Sequence, residues 1–197
     1  MKRICVFAGS SPGSRPEYRE STILLAQELA ARGLGLVYGG AKVGLMGILA
    51  DSVLLHGGHV IGVIPEALMQ KEVAHEGVSE LRVVSSMHQR KDLMANLSDG
   101  FVALPGGFGT IEETIEILTW AQLGLHKKPC GLLDVCGFYQ DLLSFLGKCV
   151  KERFVKEEHM SMLLVDKSPK SLLDRFESYR APDIDKWIDR CSVSGGV

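Results

Sequence analysis

The chain has little that would send it to nucleic acid or to a membrane. Its 197 residues carry 22 Lys and Arg against 24 Asp and Glu, a formal net charge of −2. There is no basic footprint for a phosphate backbone or an anionic lipid surface. No apolar run approaches the length of a membrane span, and the N-terminal one, residues 4–8 behind Met1-Lys2-Arg3, is shorter than the core of a secretory signal. The five cysteines (Cys5, Cys130, Cys136, Cys149 and Cys191) are odd in number and form no CxxC pair. The expectation is reduced thiols in a cytoplasmic protein. His56 and His59 are spaced as a possible ligand pair, but Gly57-Gly58 breaks the helix between them. With no third ligand placed, no metal is expected.

The common nucleotide fingerprints are also missing. The first apolar run leads into Gly9-Ser10-Ser11-Pro12-Gly13-Ser14 rather than GxGxxG. A later Gly107-Phe108-Gly109 has Glu112 where that pattern needs its last glycine, and no GxxxxGK[ST] occurs. Both absences argue against a dinucleotide oxidoreductase and a P-loop ATPase. No spacing marks Lys42, Lys71 or Lys91 as a Schiff-base lysine, so no cofactor is expected.

What is present reads as one globular domain. Hydrophobic residues make up 46% and charged residues 23% of the chain, ordinary for a protein of this size with a sizeable core. Short apolar runs alternate with helical segments. Strands are predicted over 4–8, 34–38, 60–64, 81–84, 101–104, 130–133 and 163–165. Helices are predicted over 18–32, 45–56, 87–97, 110–123, 138–153 and 168–179. Continuous apolar strands alternating with helices predict an α/β fold: a three-layer, doubly wound, mostly parallel sheet of Rossmann-like type. Residues 1–180 form a single nucleotide-binding catalytic domain in this reading. Residues 181–197 form a C-terminal extension whose end is expected to be disordered. In such sheets ligands bind beyond the C-terminal strand ends, and three glycine-rich turns fall there: 9–13, 39–44 and 106–109.

The third turn carries the strongest signal. In Leu104-Pro105-Gly106-Gly107-Phe108-Gly109-Thr110-Ile111-Glu112-Glu113 an apolar strand enters a glycine turn that opens a helix. Backbone amides and the positive helix end together make an anion site. Two carboxylates follow at once. The helix dipole alone favours acidic residues in a first turn, so proton transfer or cation stabilisation is one of two explanations for them. On the helix, Ile111, Ile115, Leu118 and Gln122 share a stripe expected to face the core. Glu112, Glu116 and Thr119 share a neighbouring face, and Glu113 lies beyond it with Trp120. Upstream, Met87-His88-Gln89-Arg90-Lys91 opens a helix near the same sheet edge. Arg90 and Lys91 there suit a phosphate or a carboxylate, or form a solvated basic face.

Taken together, the 87–91 segment and the 105–113 segment resemble the Lonely Guy (LOG) family, with its PGGxGTxxE signature. Phe7-Ala8-Gly9-Ser10-Ser11, Val37-Tyr38-Gly39-Gly40, Val43-Gly44-Leu45-Met46-Gly47 and Thr119-Trp120-Ala121-Gln122-Leu123-Gly124 extend the resemblance over nearly the whole chain. One departure is Ala41, where many members have glycine. The resemblance implies hydrolysis of the N-glycosidic bond of cytokinin riboside 5′-monophosphates, and of AMP, to free base and ribose 5-phosphate. It puts the catalytic pair on Arg90 and Glu113. It puts substrate binding on Glu72, Arg90, Lys91, Gly107, Phe108, Gly109, Thr110, Ile111, Glu112, Glu113 and Thr119. It implies no cofactor, a nucleoside 5′-monophosphate as the partner, and a homodimer or dimer-based oligomer, for which Trp120, Leu123 and Leu125 suit a contact. The alternative is a non-catalytic module that binds a nucleotide or molybdenum cofactor on a related fold.

Overall fold

A computed structural model of the chain describes residues 1–69 and 73–182. Among the described residues seven strands and seven α-helices follow one another, alternating except between β3 and β4 and at the paired α5 and α6: β1 (Arg3–Phe7), α1 (Pro16–Ala31), β2 (Gly35–Tyr38), α2 (Gly44–Leu55), β3 (Val60–Pro65), β4 (Glu80–Val84), α3 (Met87–Leu97), β5 (Gly100–Ala103), α4 (Phe108–Gln122), β6 (Cys130–Leu133), α5 (Gln140–Lys151), α6 (Glu157–Met160), β7 (Leu163–Asp166) and α7 (Pro169–Ser178). Every expected strand and helix is found. The short α6 is an addition that no periodicity announced, because four residues do not display a helical stripe.

All the strands pair in parallel in the order β4-β3-β2-β1-β5-β6-β7. Central strands are buried on both faces and so read as unbroken apolar runs; every residue of β3 is buried. At about 1.5–3 kcal/mol for each buried Val, Leu or Ile side chain, these strands supply much of the core. On one face Leu25, Leu29, Leu49, Val53, Leu172 and Phe176 pack from α1, α2 and α7. On the other, Met94 and Ile117 bring α3 and α4 down over Cys5, Phe7, Val37 and Phe101. Helices stop where the chain lets the last carbonyls be satisfied. After α1 the amides of Gly33 and Leu34 donate back to the carbonyls of Ala30 and Leu29, with Gly33 in the left-handed region, a closure that glycine makes without a Cβ penalty.

The chain moves outward from β1 to β4 on one side, then returns to place β5 against the other edge of β1. The loops after β1 and β5 therefore diverge to opposite faces, which opens a crevice at this switch point. All three glycine-rich turns lie along that edge.

Candidate active site

The turn leaving β5 is fixed before it reaches the helix. The Leu104 amide donates to the Phe7 carbonyl at 2.9 Å, and the Gly9 amide donates to the Pro105 carbonyl at 3.1 Å. The β1 and β5 turns are thus stitched together. Gly106 has no room for a side chain: a Cβ there would stand 2.1 Å from Thr110 Oγ1 and 2.9 Å from the Gly9 amide nitrogen. Thr110 is itself buried, so its hydroxyl packs beneath the turn. Gly107 caps α4, which begins at Phe108, two residues earlier than the sequence pattern predicts. The Ile111 amide reaches the Gly107 carbonyl. The amides of Phe108, Gly109 and Thr110 come before the first helical bond and face outward at the positive helix end. Beside them lies a cavity of about 240 Å³ between loop 9–13, Tyr18, Leu45 and Phe138, floored by Pro105, Gly106 and Gly107.

Arg90 is not on a solvated face. Ser86 caps α3 by accepting the Gln89 amide, and the turn so fixed drives Arg90 down onto the sheet edge, where it is 5% exposed. Its Nε donates to the Val63 carbonyl at 3.1 Å and its Nη2 to the Gly39 carbonyl at 2.7 Å. Gly39 exists for this contact: a Cβ there would lie 2.2 Å from Arg90 Nη2. Lys91 turns the other way and binds Glu112 at 2.7 Å and Glu116 at 2.9 Å. Its ammonium is held above the ordinary lysine range, chiefly by the hydrogen bond to Glu112.

Glu113 is half-buried on the first turns of α4. The Cys5 thiol of β1 lies buried beneath α3 and α4. Burial pushes that thiol well up, the Glu113 carboxylate raises it further, and the Arg90 guanidinium pulls it back down. Arg90 and Glu113 stand on α3 and α4, the two helices that cover this face of the sheet. Arg90, Glu113 and the amides of 108–110 lie at one end of the sheet.

One expected site residue does not join them. Thr119 lies about 14 Å beyond Thr110 along the helix axis at the usual rise per residue. It is exposed, and its hydroxyl donates to the Ile115 carbonyl. With Ile115, Leu118, Gln122 and Leu146 it borders a separate cavity of about 120 Å³. Glu72 lies outside the described residues. The segment just after position 72 returns to the β2 turn, where the Lys42 amide donates to the Val73 carbonyl and Ala41 bridges Ala74.

The helix register also needs one correction. The buried stripe of α4 is Thr110, Thr114, Ile117 and Ala121, and the stripe expected there, Ile111, Ile115, Leu118 and Gln122, is only half-buried. Threonine and alanine are small enough for α4 to lie close on the sheet, so three of the four inward residues are small and Ile117 supplies the one large apolar contact. Residues that the sequence reading did not single out include Gly39 as the niche for Arg90, and Tyr18 and Phe138 as cavity walls. The adjacent Gly39-Gly40 at a strand end was the one available signal for the first. Nothing in the sequence links Tyr18 to Phe138.

Comparison with known proteins adds the following. A family model described as "Possible lysine decarboxylase" matches residues 46–176. A cytokinin riboside 5′-monophosphate phosphoribohydrolase of Arabidopsis thaliana is 48% identical over 204 aligned positions, covering 100% of this chain and 94% of that relative. A probable enzyme of the same name from Oryza sativa subsp. japonica is 49% identical over 190, covering 96% and 76%. Among solved structures, a molybdenum cofactor binding protein from Rippkaea orientalis superposes with a TM-score of 0.67 at 22% identity, covering 90% of this chain and 97% of that one. That likeness is one of fold.

Proposed function

The chain belongs to the family of cytokinin riboside 5′-monophosphate phosphoribohydrolases, the Lonely Guy family, and on that footing we propose both its reaction and the residues that carry it. The enzyme is an N-glycosyl hydrolase. It cleaves the bond between base and ribose in cytokinin riboside 5′-monophosphates, releasing free base and ribose 5-phosphate and so activating the cytokinin. AMP is a second substrate in this reading. Residues 1–180 act as one catalytic domain, in the cytoplasm.

The observation that supports the assignment most is a buried arginine, a half-buried carboxylate and outward-facing helix amides at a single sheet edge. The amides of Phe108, Gly109 and Thr110 hold the 5′-phosphate at the positive end of α4. That anchor brings the anomeric carbon to Glu113. Cleavage builds positive charge on the ribose, as in other glycoside hydrolysis. The Glu113 carboxylate stabilises that charge or takes a proton from the attacking water. Arg90, fixed by two strand-end carbonyls, orients the carboxylate or supports the departing base. Lys91, Glu112 and Glu116 form a charged rim beside them. Thr119 serves the site of a second copy, which accounts for its distance from the turn in its own subunit. The homodimer in this proposal forms around α4 and its exposed end, Leu123 and Leu125.

The test is to incubate the pure enzyme with AMP and with isopentenyladenosine 5′-monophosphate, using the unphosphorylated nucleosides as controls, and to measure free base and ribose 5-phosphate. Base is released from the phosphorylated substrates. Equal rates with the nucleosides would remove the role given to the turn. Glu113→Gln abolishes turnover and largely spares nucleotide binding, and full activity in that variant rules out Glu113 as the catalytic carboxylate.

A further inference from the structure

The β5 turn is gripped from the β6 side by a residue that the reaction does not use. Tyr139 stands just before α5, with its side chain buried at 2% exposure. Its hydroxyl donates to the Leu104 carbonyl at 2.6 Å, the last carbonyl before Pro105-Gly106-Gly107. Leu104 is fully buried, so no water can replace that donor. Tyr139 is fixed in turn: its amide donates to Asp134 Oδ1 at 2.8 Å, and Gln140 Nε2 donates to Asp134 Oδ2 at 2.6 Å. Asp134 is 1% exposed, and its hydrogen bonds hold it in one orientation. Burial raises the Tyr139 phenol above its ordinary range, and the nearby Asp134 charge adds to the rise, so the hydroxyl remains a donor at every working pH. The preceding residue, Phe138, lines the cavity over Gly106 and Gly107 and meets Tyr18 edge-on at 5.8 Å.

We propose that Tyr139 is the positioning residue of the phosphate turn: through the Leu104 carbonyl it sets where Gly106 and Gly107 stand relative to the α4 amides, and so sets the affinity for phosphate. This rests on reading the turn as the phosphate cradle. The hydrogen bonds on the two ends of Leu104 involve Phe7 of β1 and Tyr139 of the β6–α5 connection, so the turn is tied on both sides. Loss of one tie leaves the helix amides in place but lets the glycines move. The expected consequence falls on binding of the phosphate more than on the chemical step.

The experiment titrates wild type and Tyr139→Phe with inorganic phosphate and with ribose 5-phosphate, alongside thermal melts and steady-state kinetics on AMP. Affinity for both ligands falls about fivefold, roughly one neutral hydrogen bond. KM rises by a similar factor, with kcat changed less. A lowered melting temperature with unaltered phosphate affinity and KM means that Tyr139 only supports the fold, and overturns the proposal. Should Tyr139→Phe not fold, hydrogen exchange in the wild type decides, because coupling is reciprocal. Phosphate then slows exchange at the Tyr139 and Gln140 amides, and no change there overturns the proposal. If the wild type binds phosphate but releases no base from any nucleotide, the hydrolase reading fails and the Tyr139 comparison still decides the proposal. If the wild type binds no phosphate, both fail.

Discussion

Replacing Gly39 with alanine adds a single methyl group where the Arg90 guanidinium already stands. The new Cβ would sit 2.2 Å from Arg90 Nη2, 3.2 Å from its Cζ and 3.3 Å from Met46 Sδ. The backbone of Gly39 can accept alanine, since it is not among the positive-φ glycines. The whole perturbation therefore falls on the guanidinium, which must swing aside and give up its bond to the Gly39 carbonyl. A hydrogen bond to a charged group is worth about 1.5–3 kcal/mol, and part of that returns if the displaced head reaches water. Gly39→Ala should thus lower stability by only about 1–2 kcal/mol on that scale. Activity should suffer far more, because a catalytic group displaced by about 1 Å costs on the order of 10²-fold. The measurements are a urea melt and kcat/KM on isopentenyladenosine 5′-monophosphate, run on the same preparation. Wild-type kcat/KM in a folded Gly39→Ala enzyme refutes the reasoning, because it would mean the position of Arg90 does not matter.

Gly106→Ala drives a Cβ against Thr110 Oγ1 and the Gly9 amide. The turn opens, and kcat/KM for the 5′-monophosphate falls by at least about tenfold, checked by the rate ratio of isopentenyladenosine 5′-monophosphate to its unphosphorylated nucleoside, which falls with it. Arg32, paired with Glu28 of α1, ties that helix to α7 through Asp174 and Glu177, at the opposite end of α1 from the site. Arg32→Met should cost about 1–2 kcal/mol as the partly buried centre of a network and leave kcat/KM unchanged, and a loss of activity would contradict the placement of the site. Asp99 accepts the amides of Lys2 and Arg3. Although burial opposes ionisation, those bonds bring its carboxyl below the ordinary range. A depressed carboxyl stabilises above its unfolded value and loses that contribution as pH falls through the folded one. Asp99→Ala should therefore be about 1–2 kcal/mol less stable at neutral pH, with the gap closing only at pH below the usual carboxylate range in denaturant melts.

The strands and most helices were legible because burial on both faces leaves no polar residue in a central strand, and a parallel sheet forces helices between strands. The turn into α4 was legible for a related reason: glycines at a strand end ahead of a helix mark a tight turn that opens it. What could not be read was side-chain direction. Arg90 and Lys91 are neighbours in the chain, yet a step of 100° on α3 sends one into the sheet edge and the other to Glu112 and Glu116. The inward stripe of α4 was misplaced because hydrophobicity favoured Ile115 and Leu118, whereas close approach to the sheet favoured Thr110, Thr114 and Ala121. The wall made by Tyr18 and Phe138 depends on two loops that meet only after the sheet has formed, and no local pattern encodes it.

The position of Arg90 follows from where the ladder ends. The pairing of β2 with β3 stops at Tyr38 opposite Gly62. Gly39 and Val63 are the next residues, so their carbonyls lie where the β2–β3 ladder no longer supplies an amide. A buried carbonyl without a donor costs free energy, and so does a buried cation without acceptors. Arg90 offsets both costs at once, spanning the two strands with Nε and Nη2 as a further rung of the ladder. Lysine cannot do this, since its ammonium has no planar fork to bridge carbonyls on separate strands. The sheet thus supplies acceptors at its C-terminal edge, and the helix that follows β5 supplies donors at the same edge. A cation fixed by the first and free amides offered by the second are the two features that the proposed grip on a nucleotide draws on.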